Sequence, residues 1–511
     1  MTSTLHDRLR TAAEQRGDSV ALRFLDEELT FAQLDRRVDG LARALIDLGI
    51  GPSDRVLIAA SLRPDVIVAQ YAVSSVGAAF VMTNPAWQDD EVAHALRLTE
   101  PSAVLADLPT AASGNFASIK HRVCLDDAAP GGWHASADLV SCAAGSPPYE
   151  SASDPMRDVA LVFSSGTTGM PKAVRHSHVS LLANVDAWTA AAAIDESDRL
   201  QLFLPLFHTY GIVTVATAIS ARSSLRLIPA FDLDTVLDNI VDERITIIFG
   251  ATPVFAGLAS RVDLGSFDLS SLRYAVWGAT PIVAATAAAL SQRTGMRWLA
   301  AYGASEAPVL CSTPVLSGDD PHLGTAGRAV SGVELRIVDL DTGELVPPGA
   351  SGEIQARGSQ VMLGYLPQGA NLEAFDDTWL RTGDIGWQDD DGWLHITDRV
   401  KEMLKVSAFQ VAPVELERVL FRHPAVADCA VYGLPDDRLG ELPKAAVVLA
   451  AGASLTEDEV ISWFEPQLAR YKRLRAVAFV DHIPRTASGK VLRRVLRDAD
   501  LAALDSQTTT T

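Results

Sequence analysis

The chain has 511 residues, 48% of them hydrophobic and 21% charged, which are globular proportions and exclude disordered, collagenous and low-complexity classes. Its 43 Lys and Arg against 64 Asp and Glu leave a net charge of −21, which argues against a nucleic-acid partner while leaving small anions open to local cation clusters. At about 150 residues per domain, two to four domains are expected. Residues 1–18 carry Asp7, Arg8, Arg10, Glu14 and Arg16 with no apolar block, so no signal peptide is expected there. No run reaches the roughly 18 apolar residues of a membrane helix. Cys124, Cys142, Cys311 and Cys429 are far apart with no CxxC pair, which reads as reduced, buried thiols in a cytoplasmic protein.

In chain order, residues 31–48 place Leu34, Val38, Leu41, Leu45 and Leu48 at helical spacing. Residues 55–60 form a short apolar run of buried-strand type. Helix is predicted over 91–98 and 236–243, and strand over 103–106, 159–163, 200–204 and 246–249. This alternation predicts layered α/β structure with largely parallel sheets. From about Gly324 the texture becomes β-rich, with alternation over 333–338 and 353–357. Beyond Asp398 a compact α+β unit is expected. Pro413 opens a helix over 414–421, strands follow at 427–432 and 444–449, and Thr456 with Glu459 caps a helix through Leu468. The fold class is thus α/β: a large N-terminal domain (1–397) of layered α/β subdomains plus a β-rich subdomain, a joint at 398–401, and a small α+β domain (402–511). The tail Ser506–Thr511 reads as frayed.

The strand at 159–163 runs into Ser164-Ser165-Gly166-Thr167-Thr168-Gly169-Met170-Pro171-Lys172. Glycines let backbone N–H groups approach an anion, hydroxyls add donors, and Lys172 supplies a point charge for phosphate. The spacing is not that of a Walker A loop, since Pro171 precedes the lysine. A second cationic feature is the segment 470–497, which carries Arg470, Lys472, Arg473, Arg475, Arg485, Lys490, Arg493, Arg494 and Arg497 against Asp481, and reads as a nucleotide-facing surface apart from the outward Arg494 and Arg497.

The serine–threonine–glycine stretch resembles the phosphate loop of the adenylate-forming superfamily, and further motifs follow in the same order. They are Leu204-Pro205-Leu206-Phe207-His208-Thr209-Tyr210-Gly211, Tyr302-Gly303-Ala304-Ser305-Glu306, Thr382-Gly383-Asp384, Asp398-Arg399-Val400-Lys401-Glu402 with the run from Lys405, and Pro484–Lys490. The texture is most similar to 4-coumarate-type aryl-CoA ligases. The resemblance implies attack of a carboxylate on the α-phosphate of ATP with release of pyrophosphate, followed by transfer to CoA. It assigns the β- and γ-phosphates to Thr167, Thr168 and Gly169, a nucleotide phosphate to Ser305 and Mg²⁺ to Glu306, and counts Ser164, Ser165, Gly166, Lys172 and Gly303 among the ATP- or AMP-binding residues. Adenine stacks on Tyr302, and the ribose meets Asp384 and Arg399. Lys490 bridges carboxylate and α-phosphate. Lys405 and Gln410 act near the intermediate in a second domain orientation, Lys401 is the hinge of a mobile C-terminal domain, and His208 is a gate or acid–base group. The acid pocket draws on Tyr210, Trp277, Gly278, Ala301 and Ala304.

Several positions depart from the family pattern. Ala173 and Ala408 replace glycines, Ala300 and Ala301 replace a Gln-Gly or Gln-Ala pair, and Trp277 stands where a small residue is usual. A Trp there either fills the acid pocket, favouring a small or flat substrate, or packs the core. The added methyl of Ala408 bears on the CoA step. Three readings follow: an acid–CoA ligase for a small or aromatic carboxylic acid or other oxyacid; an adenylating enzyme with another acceptor, such as an amine, a carrier-protein thiol or, in a diazotase, an aromatic amine meeting activated nitrite; and a non-catalytic nucleotide-binding protein. A stand-alone enzyme, monomeric or homodimeric, is expected.

Overall fold

The computed structural model describes residues 3–145, 149, 151, 154–164, 171–280, 282–406, 409–436, 438–464, 467–468, 472–486 and 490–508. It divides into two compact units, Met1–Glu334 with Ala356–Leu380 and Leu335–Gln355 with Arg381–Thr511. The segment 398–401, where the sequence suggests a joint, lies inside the second unit, because Leu394–Arg399 is a strand hydrogen-bonded to Trp379–Gln388, with Arg399 opposite Asp384.

The first unit is built on two sheets. One has the order Gly364–Leu366, Ala173–Ser177, Asp158–Phe163, Ala79–Met82, Arg55–Ala59, Ala103–Ala106, His121–Cys124, His134–Ala135 among the described residues. Its central strands are parallel and read as unbroken apolar runs because helices cover both faces. Asp158–Phe163 and Ala173–Ser177 are antiparallel, with Phe163 opposite Ala173. The strands on either side of Ser164 and Lys172 are thus antiparallel neighbours, and the sheet is mixed rather than parallel throughout. The other sheet runs Arg328–Ala329, Ala307–Ser312, Trp298–Ala304, Tyr274–Trp277, Ile247–Gly250, Arg199–Leu202, Ser224–Leu227, Val20–Phe24, Glu27–Thr30.

The predicted helix at 31–48 spans Phe31–Asp47. Thr30 caps it reciprocally: its hydroxyl accepts from Gln33 N at 3.2 Å and its N–H donates to Gln33 Oε1 at 2.8 Å. A helix the periodicity does not announce, Leu5–Arg16, buries Leu5 and Leu9. Cys124, Cys311 and Cys429 are buried free thiols, but Cys142 is exposed at the end of the surface helix Ser136–Cys142, against the expectation for that residue.

The second unit holds a largely antiparallel sheet, Phe409–Val411, Leu404–Val406, Gly440–Leu449, Val426–Asp436, with Ala476–Phe479 parallel to Gly440–Leu449. The helix Pro413–Leu420, opened by its proline, packs Leu416 and Leu420 on a core with Val411, Val431, Val447 and Phe464. The helix after Thr456 is described over Glu457–Phe464, and 465–466 lie outside the described residues. The last helix, Arg493–Thr508, carries Ser506–Thr508 that the composition reads as frayed, and 509–511 lie outside the described residues. No helix among the described residues is long and apolar enough to cross a membrane.

Candidate functional site

In the first unit the phosphate-loop residues Ser165, Gly166, Thr167, Thr168 and Gly169 lie outside the described residues, but both ends of the loop are placed. Ser164 N and Oγ donate to the carbonyl of Lys172 at 2.8 and 3.3 Å, pinching the loop at its base. Two contacts brace it from the neighbouring helix and its lead-in. Trp87 meets Phe163 edge-on at 5.0 Å, and His94 Nε2 donates to the Pro171 carbonyl at 2.8 Å. Lys172 Nζ stands 5.1 Å over the Tyr365 ring.

Glu306 sits in the turn between the strands Trp298–Ala304 and Ala307–Ser312. The turn is tight: a Cβ on Gly303 would lie 2.0 Å from the Pro308 carbonyl oxygen, so only glycine fits there. The turn is fixed from its flank as well. His176, fully buried, donates from Nε2 to the Ser305 carbonyl at 2.8 Å. Burial pulls that imidazole down to about 4, so it is neutral, and its Nδ1 is left to accept from Ser180 Oγ at 3.2 Å. The Glu306 carboxylate accepts from the Tyr365 hydroxyl, and the Glu306 carbonyl accepts from Met362 N at 2.8 Å. Tyr302, half-buried, lies opposite Cys311 on the same hairpin. Neither His176 nor Tyr365 carries a motif signal: one is a histidine in the mixed strand Ala-Val-Arg-His-Ser, the other an aromatic after a glycine.

The residues expected to line an acid pocket separate into two groups. Tyr210 lies on the helix Thr209–Ala221, and a Cβ on Gly278 would come within 2.9 Å of its ring and hydroxyl, so glycine permits the ring to lie against the strand end. Its hydroxyl is buried with no hydrogen-bond partner among the described residues, and burial raises its pKa. Tyr210 and Ala301 pack against one core cluster, and Ala304 closes the hairpin opposite Ala307. Trp277 faces the other way. Along Tyr274–Trp277, Tyr274 and Val276 point into that cluster while Ala275 and Trp277 point into a second one. There the indole, 1% exposed, packs tilted against Phe255 at 4.6 Å and Trp298 at 5.4 Å and donates to Thr280 Oγ1 at 3.2 Å. The pocket-filling role considered for Trp277 is thus corrected: strand alternation makes it core. His208 is the residue before the helix Thr209–Ala221, tilted on Phe207 at 4.8 Å, and burial pulls it down to about 4, leaving it neutral.

In the second unit, Asp384 is 4% exposed and accepts from Arg399 Nε at 2.7 Å across the strand pair. Lys490 closes the base of its loop: its N–H donates to Thr486 Oγ1 at 3.1 Å and its carbonyl accepts from Thr486 N at 2.8 Å, while 487–489 lie outside the described residues. Its ammonium is 3.9 Å from Glu402; burial, reinforced by Arg399, lowers its pKa, with Glu402 opposing. Arg493 pairs with Glu402 and, at 2.8 Å, with Glu417. Asp398, 3% exposed, accepts from Arg399 N at 2.7 Å and Val414 N at 3.0 Å, and burial pushes its carboxyl up to about 6. Lys401 is exposed in the turn Val400–Glu402. Lys405, also exposed, lies directly opposite Gln410 in a short hairpin, and its N–H donates to Glu441 at 2.7 Å. Ala408 lies outside the described residues.

The basic segment is not the open cationic surface its composition suggests. Lys472 pairs with Glu415 at 2.7 Å, Arg485 with Asp428 at 2.7 Å, Arg493 as above, and Arg497 with Glu441 at 3.7 Å. These cations meet acids that are remote in sequence, which no local count of charge reveals. Arg470 lies outside the described residues.

Among the described residues no group of three or more His, Cys, Asp or Glu could hold a metal ion by itself. A lone carboxylate, Glu306, fits Mg²⁺, which takes one or two protein carboxylates and fills its remaining positions with substrate phosphates and water.

Over residues 9–366 the chain matches the AMP-binding enzyme family, and over 415–490 the AMP-binding enzyme C-terminal domain. 4-Coumarate–CoA ligase 2 of Solanum tuberosum is 35% identical over 492 residues, covering 94% of this chain and 90% of that one. The crystal structure of ATP-bound MatB from Rhodopseudomonas palustris aligns with a TM-score of 0.89 at 28% identity, covering 98% of this chain and 99% of that one. The amide bond synthetase McbA from Marinactinospora thermotolerans aligns with a TM-score of 0.86 at 29% identity, covering 97% and 99%. The chain therefore belongs to the AMP-binding enzyme family and is an ATP-dependent, AMP-forming ligase.

Proposed function

We propose that the protein activates a small or aromatic carboxylic acid as its acyl adenylate and transfers the acyl group to CoA. A carboxylate oxygen attacks the α-phosphorus of ATP, and the bond from that phosphorus to the pyrophosphate oxygen breaks. Negative charge then gathers on phosphate oxygens, so prepositioned donors and cations lower the barrier. In this reading Ser164, Ser165, Gly166, Thr167, Thr168, Gly169 and Lys172 cradle the outer phosphates, with Gly303 and Ser305 beside them. Glu306 holds Mg²⁺, Tyr302 stacks on adenine, and Asp384 and Arg399 take the ribose. Lys490 neutralises carboxylate and α-phosphate. Lys405 and Gln410 serve the thioester step, with the exposed turn at Lys401 as the pivot. Tyr210, Gly278, Ala301 and Ala304 receive the acid, and His208, neutral, acts as a gate. The three buried free cysteines support a cytoplasmic location.

The observation that carries the reading is the convergence, in one unit, of the pinched hydroxyl loop, Lys172 and the Glu306 turn, the last two meeting at Tyr365. A flat acid is supported by the Tyr210 ring lying against Gly278 with an unmatched buried hydroxyl. An amide-forming variant of the second step is the other reading, favoured by the likeness to an amide bond synthetase at a TM-score of 0.86. The test is AMP release with a panel of aromatic acids, and with nitrite plus aminoarenes, each with and without CoA. Aryl-acid turnover that requires CoA is expected. Turnover that requires an amine and ignores CoA selects the second reading, and no pyrophosphate from any acid overturns both.

A further inference from the structure

Tyr365 belongs to none of the motifs that single out this site, yet three site elements meet on it. Its strand, Gly364–Leu366, pairs antiparallel with Ala173–Ser177, the strand leaving the phosphate loop, with Tyr365 opposite Val174. Its hydroxyl donates to Glu306 Oε1, and its ring face carries the Lys172 ammonium at 5.1 Å. Its backbone is anchored, since Tyr365 N donates to Asn371 Oδ1 at 2.6 Å and Leu363 N to the Arg175 carbonyl at 2.8 Å.

We propose that Tyr365 is a positioning residue that keeps Lys172 and Glu306 from neutralising one another before the nucleotide arrives. A lysine and a glutamate that meet the same tyrosine beside a phosphate site are natural ion-pair partners, and such a pair would withdraw a cation from phosphate and a carboxylate from Mg²⁺. The tyrosine satisfies each differently. It offers its quadrupole to the ammonium and one O–H to the carboxylate, leaving the second carboxylate oxygen for a metal ion. Being uncharged, it adds nothing that the incoming phosphates must overcome. The inference rests on the functional reading above, in that it takes Glu306 and Lys172 to face Mg²⁺ and ATP.

The test is the Mg²⁺ dependence of ATP binding, measured calorimetrically on the whole protein without any acid present. Tyr365→Phe keeps the ring but loses the donor, and should raise the Mg²⁺ concentration for half-maximal ATP binding about tenfold, the scale of one charge-assisted contact, because the released carboxylate then pairs with Lys172 in competition with the metal ion. Its thermal melt and its KM for the acid should match the parent's, which a general packing defect would not allow. In the Lys172→Met background the same substitution should shift the Mg²⁺ requirement less than twofold, because the competing cation is gone. An unchanged Mg²⁺ requirement in Tyr365→Phe, or an equal shift in both backgrounds, overturns the proposal. If Tyr365→Phe does not fold, Asn371→Ala, which releases the tyrosine's backbone anchor, should move the Mg²⁺ requirement in the same direction, and no movement overturns the proposal. A parent protein that binds no ATP at any Mg²⁺ concentration would instead sink the functional reading itself.

Discussion

The turn bearing Glu306 and the loop bearing Lys490 are both short and glycine-containing, but they are held by opposite means. Around Glu306 the supports are neutral: an uncharged buried histidine on the Ser305 carbonyl, a phenol on the carboxylate, and a glycine that lets two chain segments touch. Around Lys490 they are ionic: Glu402 near its ammonium, Arg493 bridging Glu402 and Glu417, and Asp398 buried close by. Neutral supports hold a charged group without consuming its charge. An ionic network instead sets how much of the lysine's charge is available, since Glu402 answers both Arg493 and Lys490. One region is thus fixed by shape, the other by balance.

Substitutions that strike each kind of support can break or sharpen this contrast. The largest effect is expected from Arg493→Met. Burial works against the Arg493 charge, but Glu417 and Glu402 outweigh it and raise its pKa. Removing the cation leaves two poorly solvated carboxylates, at a cost of about 3–5 kcal/mol. Urea unfolding reads this directly, and a loss below about 1 kcal/mol would mean that the network is solvent-screened and that the contrast fails. Next, Lys490→Ala should slow ATP–pyrophosphate exchange by roughly 10²-fold while leaving the melt unchanged, as losing one donor to developing charge does. Near-normal exchange would remove Lys490 from the chemistry. The smallest effect tests shape alone. Gly278→Ala puts a methyl within 2.9 Å of the Tyr210 ring and should cost about 1–3 kcal/mol of overpacking. It should appear as a lower Tm and a higher KM for the acid with ATP binding unmoved. Unchanged values for both would show that the ring yields freely.

Much of the fold was legible where a local pattern has a single solution. The run 103–106 is a strand, and the capped periodicity at 31–48 is a helix, because burying an apolar stripe or run leaves few alternatives. The Thr456–Glu459 cap marked a helix start correctly. Partner identity was not legible. The cations of 470–497 looked like a surface because their acids, Glu402, Glu415, Glu417 and Asp428, are tens of residues away. Trp277 had two readings until the strand's facing was known. The helix Leu5–Arg16 escaped notice because Leu5 and Leu9 are too few to set a period, though both are buried.

By itself, the sequence determined which chemistry is available: a hydroxyl and glycine loop ending in lysine, a glutamate after Tyr302-Gly303-Ala304-Ser305, an aspartate after Thr382-Gly383, Arg399 and a loop lysine, all in the order of a known family. These are properties of residue type and spacing, and they survive without coordinates. Only tertiary structure decided which charges are neutralised, which ring faces which core, and that Tyr365 stands between Lys172 and Glu306. Those outcomes depend on strand register and on contacts between residues distant in the chain, where moving one residue along a strand turns a side chain to the opposite face.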